Sequence, residues 1–92
     1  PLLELGAPYP NPFNPRTRVD LDLPRAGHVE AVIFDGRGRR VAVLASGTRP
    51  GGRVVLAWNG QDATGRDVPS GSYLLWVRTD AGSASRKLQL VR

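Results

Sequence analysis

The chain has 92 residues, 40% hydrophobic and 23% charged, with 11 glycines, 8 prolines and neither cysteine nor methionine, which suffices for one small core and excludes a second domain, a disulfide scaffold and a thiolate metal site. The 13 Lys+Arg against 8 Asp+Glu leave a net charge of +5, but Lys87 is the single lysine among arginines scattered along the chain, so charge alone specifies no ligand. An initiator methionine, a signal-type apolar run and a transmembrane stretch are all missing, and the chain is expected to be a piece cut or processed from a larger protein.

The first sixteen residues form a proline-rich lead-in, residues 1–16, expected to pack on the domain that follows. In "YPNPFNP" the prolines Pro10, Pro12 and Pro15, with Pro8 before them, cannot donate to a sheet ladder and bias the residues that precede them toward extended geometry. The segment reads as a stiff ribbon anchored by Phe13 over the open end of a sandwich. The amides of Asn11 and Asn14 serve nearby backbone groups, and the prolines block edge-to-edge pairing. A ligand for an aromatic groove is the lesser alternative, because a regular polyproline repeat is missing.

From residue 17 to residue 92 the pattern has period two. In "TRVDLDLP" Val19, Leu21 and Leu23 alternate with Arg18, Asp20 and Asp22, burying one face of a strand and wetting the other. After the turn "RAG", "HVEAVIFD" places Val29, Ala31 and Ile33 on one face, with Val32 and Phe34 making the second partly apolar. Gly36 and Gly38 break the chain, "RRVAVLA" resumes it, and "SGTRPGG" reads as the next connection. "RVVLAWN" puts Val54, Leu56 and Trp58 in phase. The glycine-rich "NGQDATGRDVPSG" leads to "SYLLWVRT", with Tyr73, Leu75 and Val77 in phase, and "SASRKLQLV" carries Leu88 and Leu90. Six closely spaced strands joined by Gly, Pro, Asn and Asp turns describe an all-β antiparallel sandwich or barrel.

The stretches "YPNPFNPRTRVDLDLPRAGHVEAVIFDGRGRRVAVL", "WNGQDATGRDVPSGSYLLWV" and "SRKLQLVR" resemble a bacterial immunoglobulin-like domain. That domain is found at the C-termini of exported proteins and is related to the immunoglobulin-like domain of the flagellar hook-capping protein FlgD and to the C-terminal sorting domain of type IX secretion cargo. The landmarks Asn11-Pro12-Phe13, Leu-Pro, Asp-x-x-Gly-Arg, Trp58-x-Gly60-x-Asp62-x-x-Gly65, Ser-Gly71-x-Tyr73 and a basic end occur in order from Tyr9 to Arg92. The resemblance implies an immunoglobulin-like antiparallel sandwich of about seven strands. It also implies a non-catalytic C-terminal module of an exported bacterial protein, secreted or held at the cell surface, whose end is read by export machinery or a cell-envelope component. Lys87, Gln89 and Arg92, displayed on or beyond the last strand, are the candidate sorting residues. Gly36 departs from the family, which usually carries a bulkier apolar residue there.

Other residues are of types that can carry chemistry of their own. Asn59, Asp62 and Asp67 lack the carboxylate spacing of a calcium loop, and Asp62 is expected to accept backbone N–H bonds while Gly60 and Gly65 take positive φ. Trp58 is in phase with the core. Trp76 is out of phase with Tyr73, Leu75 and Val77 and points outward, either covered by a neighbour or, in an isolated domain, largely exposed as a contact surface. Arg37, Arg39 and Arg40 form one basic cluster able to touch phosphate or acidic polysaccharide. Without interleaved aromatics it is not a nucleic-acid surface. His28 is the only histidine, Asp20 and Asp22 belong to a wet strand face, and no nucleophile elbow or phosphate loop occurs. No enzyme activity, cofactor or metal is expected. The reading is a monomeric sorting or surface-attachment module with an upstream domain in the same parent. The alternatives are a carbohydrate-binding or protein-interaction module of a secreted polysaccharide hydrolase, or a spacer.

Overall fold

The computed structural model describes residues 3–92. The strands in chain order are β1 (Glu4–Leu5), β2 (Thr17–Leu23), β3 (Gly27–Phe34), β4 (Arg40–Arg49), β5 (Gly52–Trp58), β6 (Gly71–Thr79) and β7 (Gly82–Leu90). They form two antiparallel sheets, one ordered β1-β2-β5 and the other β4-β3-β6-β7, packed face to face as an immunoglobulin-like sandwich.

The alternation seen in the sequence fixes which residues meet between the sheets. Val19 lies opposite Leu56 and Leu21 opposite Val54 in one sheet, and Ala31 opposite Val77 and Tyr73 opposite Leu88 in the other. Val19, Leu21, Val29, Ala31, Ile33, Leu56, Trp58, Leu75, Val77, Leu88 and Leu90 are buried in one core, and their removal from water is the main driving force for the fold. At one end of the core the rings of Phe13, Trp58 and Tyr73 stack in series, with centroids 5.6 and 5.0 Å apart and tilted or edge-on planes.

Three features differ from the sequence reading. The lead-in contains a short strand of its own, β1, paired with Asp22 and Leu21 of β2. Its two residues are too few to show a period. "SGTR" is strand rather than connection, because β4 runs on to Arg49 by pairing Gly47, Thr48 and Arg49 with Val29, His28 and Gly27; an existing neighbour supplies the ladder whatever the local propensity. Register shifts in this pair fall between Ala31 and Val32 and between Ile33 and Phe34, leaving Leu44 and Val41 without direct partners. Both pack partly buried against the core. Finally, Val32, on the outer face of β3, is only 1% exposed, because it lies between Val43 of β4 and Trp76 of β6.

Candidate functional site

The end of β7 is built jointly with the lead-in. Tyr9 exchanges both backbone hydrogen bonds with Arg18 of β2, while the Phe13 amide donates to the Gln89 carbonyl (2.9 Å) and the Val91 amide to the Phe13 carbonyl (2.8 Å). The ribbon thus crosses from one sheet to the other. Pro10, Pro12 and Pro15 offer no donors, so the residues between them do the bonding. The Asn11 side chain acts as a piece of strand: its Nδ2 donates to the Lys87 carbonyl (3.2 Å) and its Oδ1 accepts from the Gln89 amide (2.9 Å). Thr17 Oγ1 donates to the Pro10 carbonyl at 2.8 Å. The β7 edge from Lys87 to Val91 is therefore engaged by Asn11 and Phe13, and a further strand has no purchase there.

The side chains of Lys87 and Gln89 remain exposed, beside Leu74 and Ser72 of β6, with the Ser72 hydroxyl 2.9 Å from Gln89 Oε1. Arg92 behaves differently. It lies beyond the end of β7, and its guanidinium folds back to donate to the Val68 and Gly60 carbonyls, its amide donates to Ser70 Oγ, and Asp67 lies 3.7 Å away. These charge-assisted bonds, together with the Val68 amide that donates to the Gly60 carbonyl at 3.0 Å, hold the loop 59–70 against the end of the sheet. Arg86, which the sequence reading passed over, does similar work by donating to the Leu5 carbonyl (2.6 Å), bridging β7 to β1. Its signal in the sequence is an arginine in the same phase as the buried Leu88 and Leu90.

At the same end of the sandwich two turns share one construction. In Asp35–Arg39 and Asp62–Arg66 the aspartate amide donates to the arginine carbonyl (2.9 Å in both), and the glycine amide donates to the aspartate carbonyl (3.0 Å in both). The aspartate Oδ1 accepts the amides two and four residues on, at 2.9 Å each from Arg37 and Arg39, and at 2.9 and 3.1 Å from Thr64 and Arg66. Gly38 and Gly65 take φ of 78° and 85°, a region that an L side chain enters only with strain. The amides and Thr64 hydroxyl favour the ionised carboxylates and lower both pKa values. The Arg39 amide is the largest cause for Asp35 and the Thr64 hydroxyl for Asp62. Gly60, with φ of 74°, lies against the Pro15 carbonyl and the Arg92 side chain, and Trp58 Nε1 donates to the Gln61 carbonyl at 2.9 Å. Tyr73 donates its hydroxyl to the Pro69 carbonyl (2.6 Å), a tyrosine corner at the start of β6. Burial, then the charge of Asp35, raises its pKa.

Elsewhere the wet faces are tied up in ordinary pairing. Asp20 and Asp22 meet Arg18 and Arg53, His28 lies 3.1 Å from Glu30, and Arg39 Nε bonds Asp35 Oδ2 at 3.0 Å. Trp76 faces outward but is half-buried rather than open. It covers Val32, and the Arg78 guanidinium lies 5.9 Å from its ring centroid. Among the described residues no group of three or more His, Asp or Glu is placed to hold a metal ion.

The family model of the FlgD Ig-like domain matches residues 13–83. Among solved structures, dimeric latent PorU from Porphyromonas gingivalis shares the fold at TM-score 0.74 and 17% identity, over 99% of this chain and 10% of that one. FlgD from P. aeruginosa matches at TM-score 0.63 and 25% identity, over 80% of this chain and 59% of that one. PorZ, described as an essential surface component of the type IX secretion system of P. gingivalis, matches at TM-score 0.57 and 23% identity, over 98% of this chain and 11% of that one. The chain therefore spans about a tenth of PorU and PorZ. A search of curated proteins found no match.

Proposed function

The chain belongs to the FlgD Ig-like domain family, an accessory immunoglobulin-like domain, and from that membership we propose that it is the sorting or surface-attachment module of a larger exported bacterial protein. The observation that carries this reading is that the same fold, over nearly the whole of this chain, makes up a small part of PorZ, a surface component of type IX secretion. The β7 end supports it physically. Asn11 and Phe13 hold that strand rigid, so Lys87 and Gln89 are presented in one orientation to a receptor of the export machinery or cell envelope, at low entropic cost. Arg92 contributes by fixing the adjoining loop rather than by touching the receptor. The partners in this reading are the receptor and the upstream domain of the parent, and the location is the cell surface or the medium.

The reading is tested by fusing the 92-residue chain to the C-terminus of a periplasm-targeted fluorescent reporter in a bacterium that has type IX secretion. Surface or extracellular reporter is expected with the chain and not without it. Lys87→Ala with Gln89→Ala should lower delivery while leaving the melt of the domain within about 1 kcal/mol, as for exposed positions. A reporter retained in the periplasm equally with and without the chain overturns the proposal.

A further inference from the structure

The twin turns face each other across an open cleft of about 540 Å³, lined by Asp35–Arg37, Arg39–Val41, Asp62 and Val68–Tyr73. That volume lies within the roughly 300–1,000 Å³ of small-ligand sites. We infer that this cleft binds an acidic peptide segment of a partner protein, a side-chain carboxylate meeting Arg37 and Arg40 and an adjacent apolar side chain resting on Val41, Val68 and Pro69.

The charge of the cleft follows from how its carboxylates are used. Asp35 spends both oxygens on the Arg37 and Arg39 amides and the Arg39 guanidinium, and Asp62 Oδ1 accepts two amides and the Thr64 hydroxyl. Arg37 and Arg40 have no salt bridge among the described residues, although both line the cleft. Asp62 Oδ2 accepts no bond among the described residues, but the guanidinium groups of Arg37, Arg39 and Arg40 line the cleft against the two carboxylates of Asp35 and Asp62, so an excess of positive charge remains to complement an anion, and the planar fork of arginine suits a carboxylate.

Gly36 explains why the cleft is there. Of the 11 glycines, Gly36 alone has neither a positive φ nor any neighbour within 3.4 Å of the position a Cβ would take; its nearest is the Ser72 carbonyl at 3.9 Å. Neither backbone conformation nor crowding demands glycine at this position, and a larger side chain has room to stand in the cleft. The converging segments make the cleft, and the absence of a side chain at residue 36 leaves it open.

The lining favours a peptide over a saccharide. Tyr73, the one aromatic at the cleft, is 7% exposed with its hydroxyl spent on Pro69, so it offers no stacking platform. Ser72 is bonded to Gln89 and Ser70 Oγ already accepts the Arg92 amide. What remains is an apolar floor beside two cations. This inference stands apart from the export reading, since binding by the isolated chain and delivery of a fused reporter are separate measurements.

The test is an NMR titration of the 15N-labelled 92-residue chain with acetyl-Glu-Leu-Glu-Leu-amide, with acetyl-Lys-Leu-Lys-Leu-amide and trigalacturonate as comparators. Saturable shifts centred on Gly36, Ser70, Gly71 and Ser72 are expected with the acidic peptide alone. Gly36→Leu, which fills the cleft without changing charge, and the double variant Arg37→Gln with Arg40→Gln should each weaken it at least about tenfold, the scale of a lost charge-assisted bond. A thermal melt checks that both variants are folded. Absence of saturable shifts, equal response to either comparator, or undiminished binding in either folded variant overturns the proposal.

Discussion

Phe13→Ala tests how the lead-in is held. The ring is 2% exposed and packs on Trp58 at a centroid distance of 5.6 Å, whereas the two backbone bonds of residue 13 to Gln89 and Val91 do not depend on the side chain. Burying a phenylalanine contributes about 1.5–3 kcal/mol by transfer, the aromatic pair adds about 0.5–1.5, and a cavity beside Trp58 that cannot fully collapse costs more. The expected loss is about 3–5 kcal/mol. Set against a total of about 5–15 kcal/mol for a domain, this should lower the melting temperature on the order of 15–30 °C. Urea unfolding of the 92-residue chain, followed by tryptophan fluorescence and circular dichroism, measures it, with an unchanged slope showing that the same cooperative unit is lost. Phe13→Leu, which keeps most of the volume, should cost only about 1–2 kcal/mol. A loss below about 1 kcal/mol for the alanine variant would refute the reasoning, since it would mean that the ribbon docks through its backbone and Asn11 without its anchor.

Arg92→Ala removes the donors to Gly60 and Val68 and should cost about 1–3 kcal/mol while accelerating amide hydrogen exchange at Gly65 and Val68; unchanged exchange at both would show that the loop 59–70 holds itself. Asp35 and Asp62 have folded pKa values lowered below the ordinary value, so below about pH 4 the unfolded chain takes up protons first and stability falls as pH falls through the folded values. Asp35→Asn with Asp62→Asn should flatten that acid limb in a series of urea melts, and an unaltered pH dependence would assign the limb to other carboxylates. Acrylamide should quench Trp76 more than Trp58, measured in single Trp→Phe variants, with Trp76 short of full accessibility because Arg78 and the β3 face flank it; better quenching of Trp58 would invert the strand phase.

The core was legible in the sequence because the side-chain direction in a strand is local: in "TRVDLDL" and "SYLLWVRT" the alternation alone says that Val19, Leu21, Leu75 and Val77 share the inside, and the buried set agrees. The punctuation was equally local, since the hydrogen bonds that close Asp35–Arg39 and Asp62–Arg66 run within each turn. Partners distant in sequence are another matter. Asn11 completes the ladder of a strand 76 residues away, Arg86 bonds a carbonyl 81 residues away, and Arg92 reaches back 32 residues to Gly60. A period of two puts Arg86 and Arg92 in phase with the buried Leu88 and Leu90 but names no acceptor for either; the order of the sheets decides which carbonyls come within reach. The same holds for Val32, on a face that the sequence shows only to be partly apolar and that is buried because Trp76 lies across from it. It holds also for the walls of the cleft, which the β3–β4 turn, the start of β6 and the loop 59–70 bring together at one end of the sandwich, while Gly36 leaves it unfilled. Local periodicity is a property of the chain and can be read along it, whereas a bond between side chain and backbone across the fold is a property of how the two sheets are stacked.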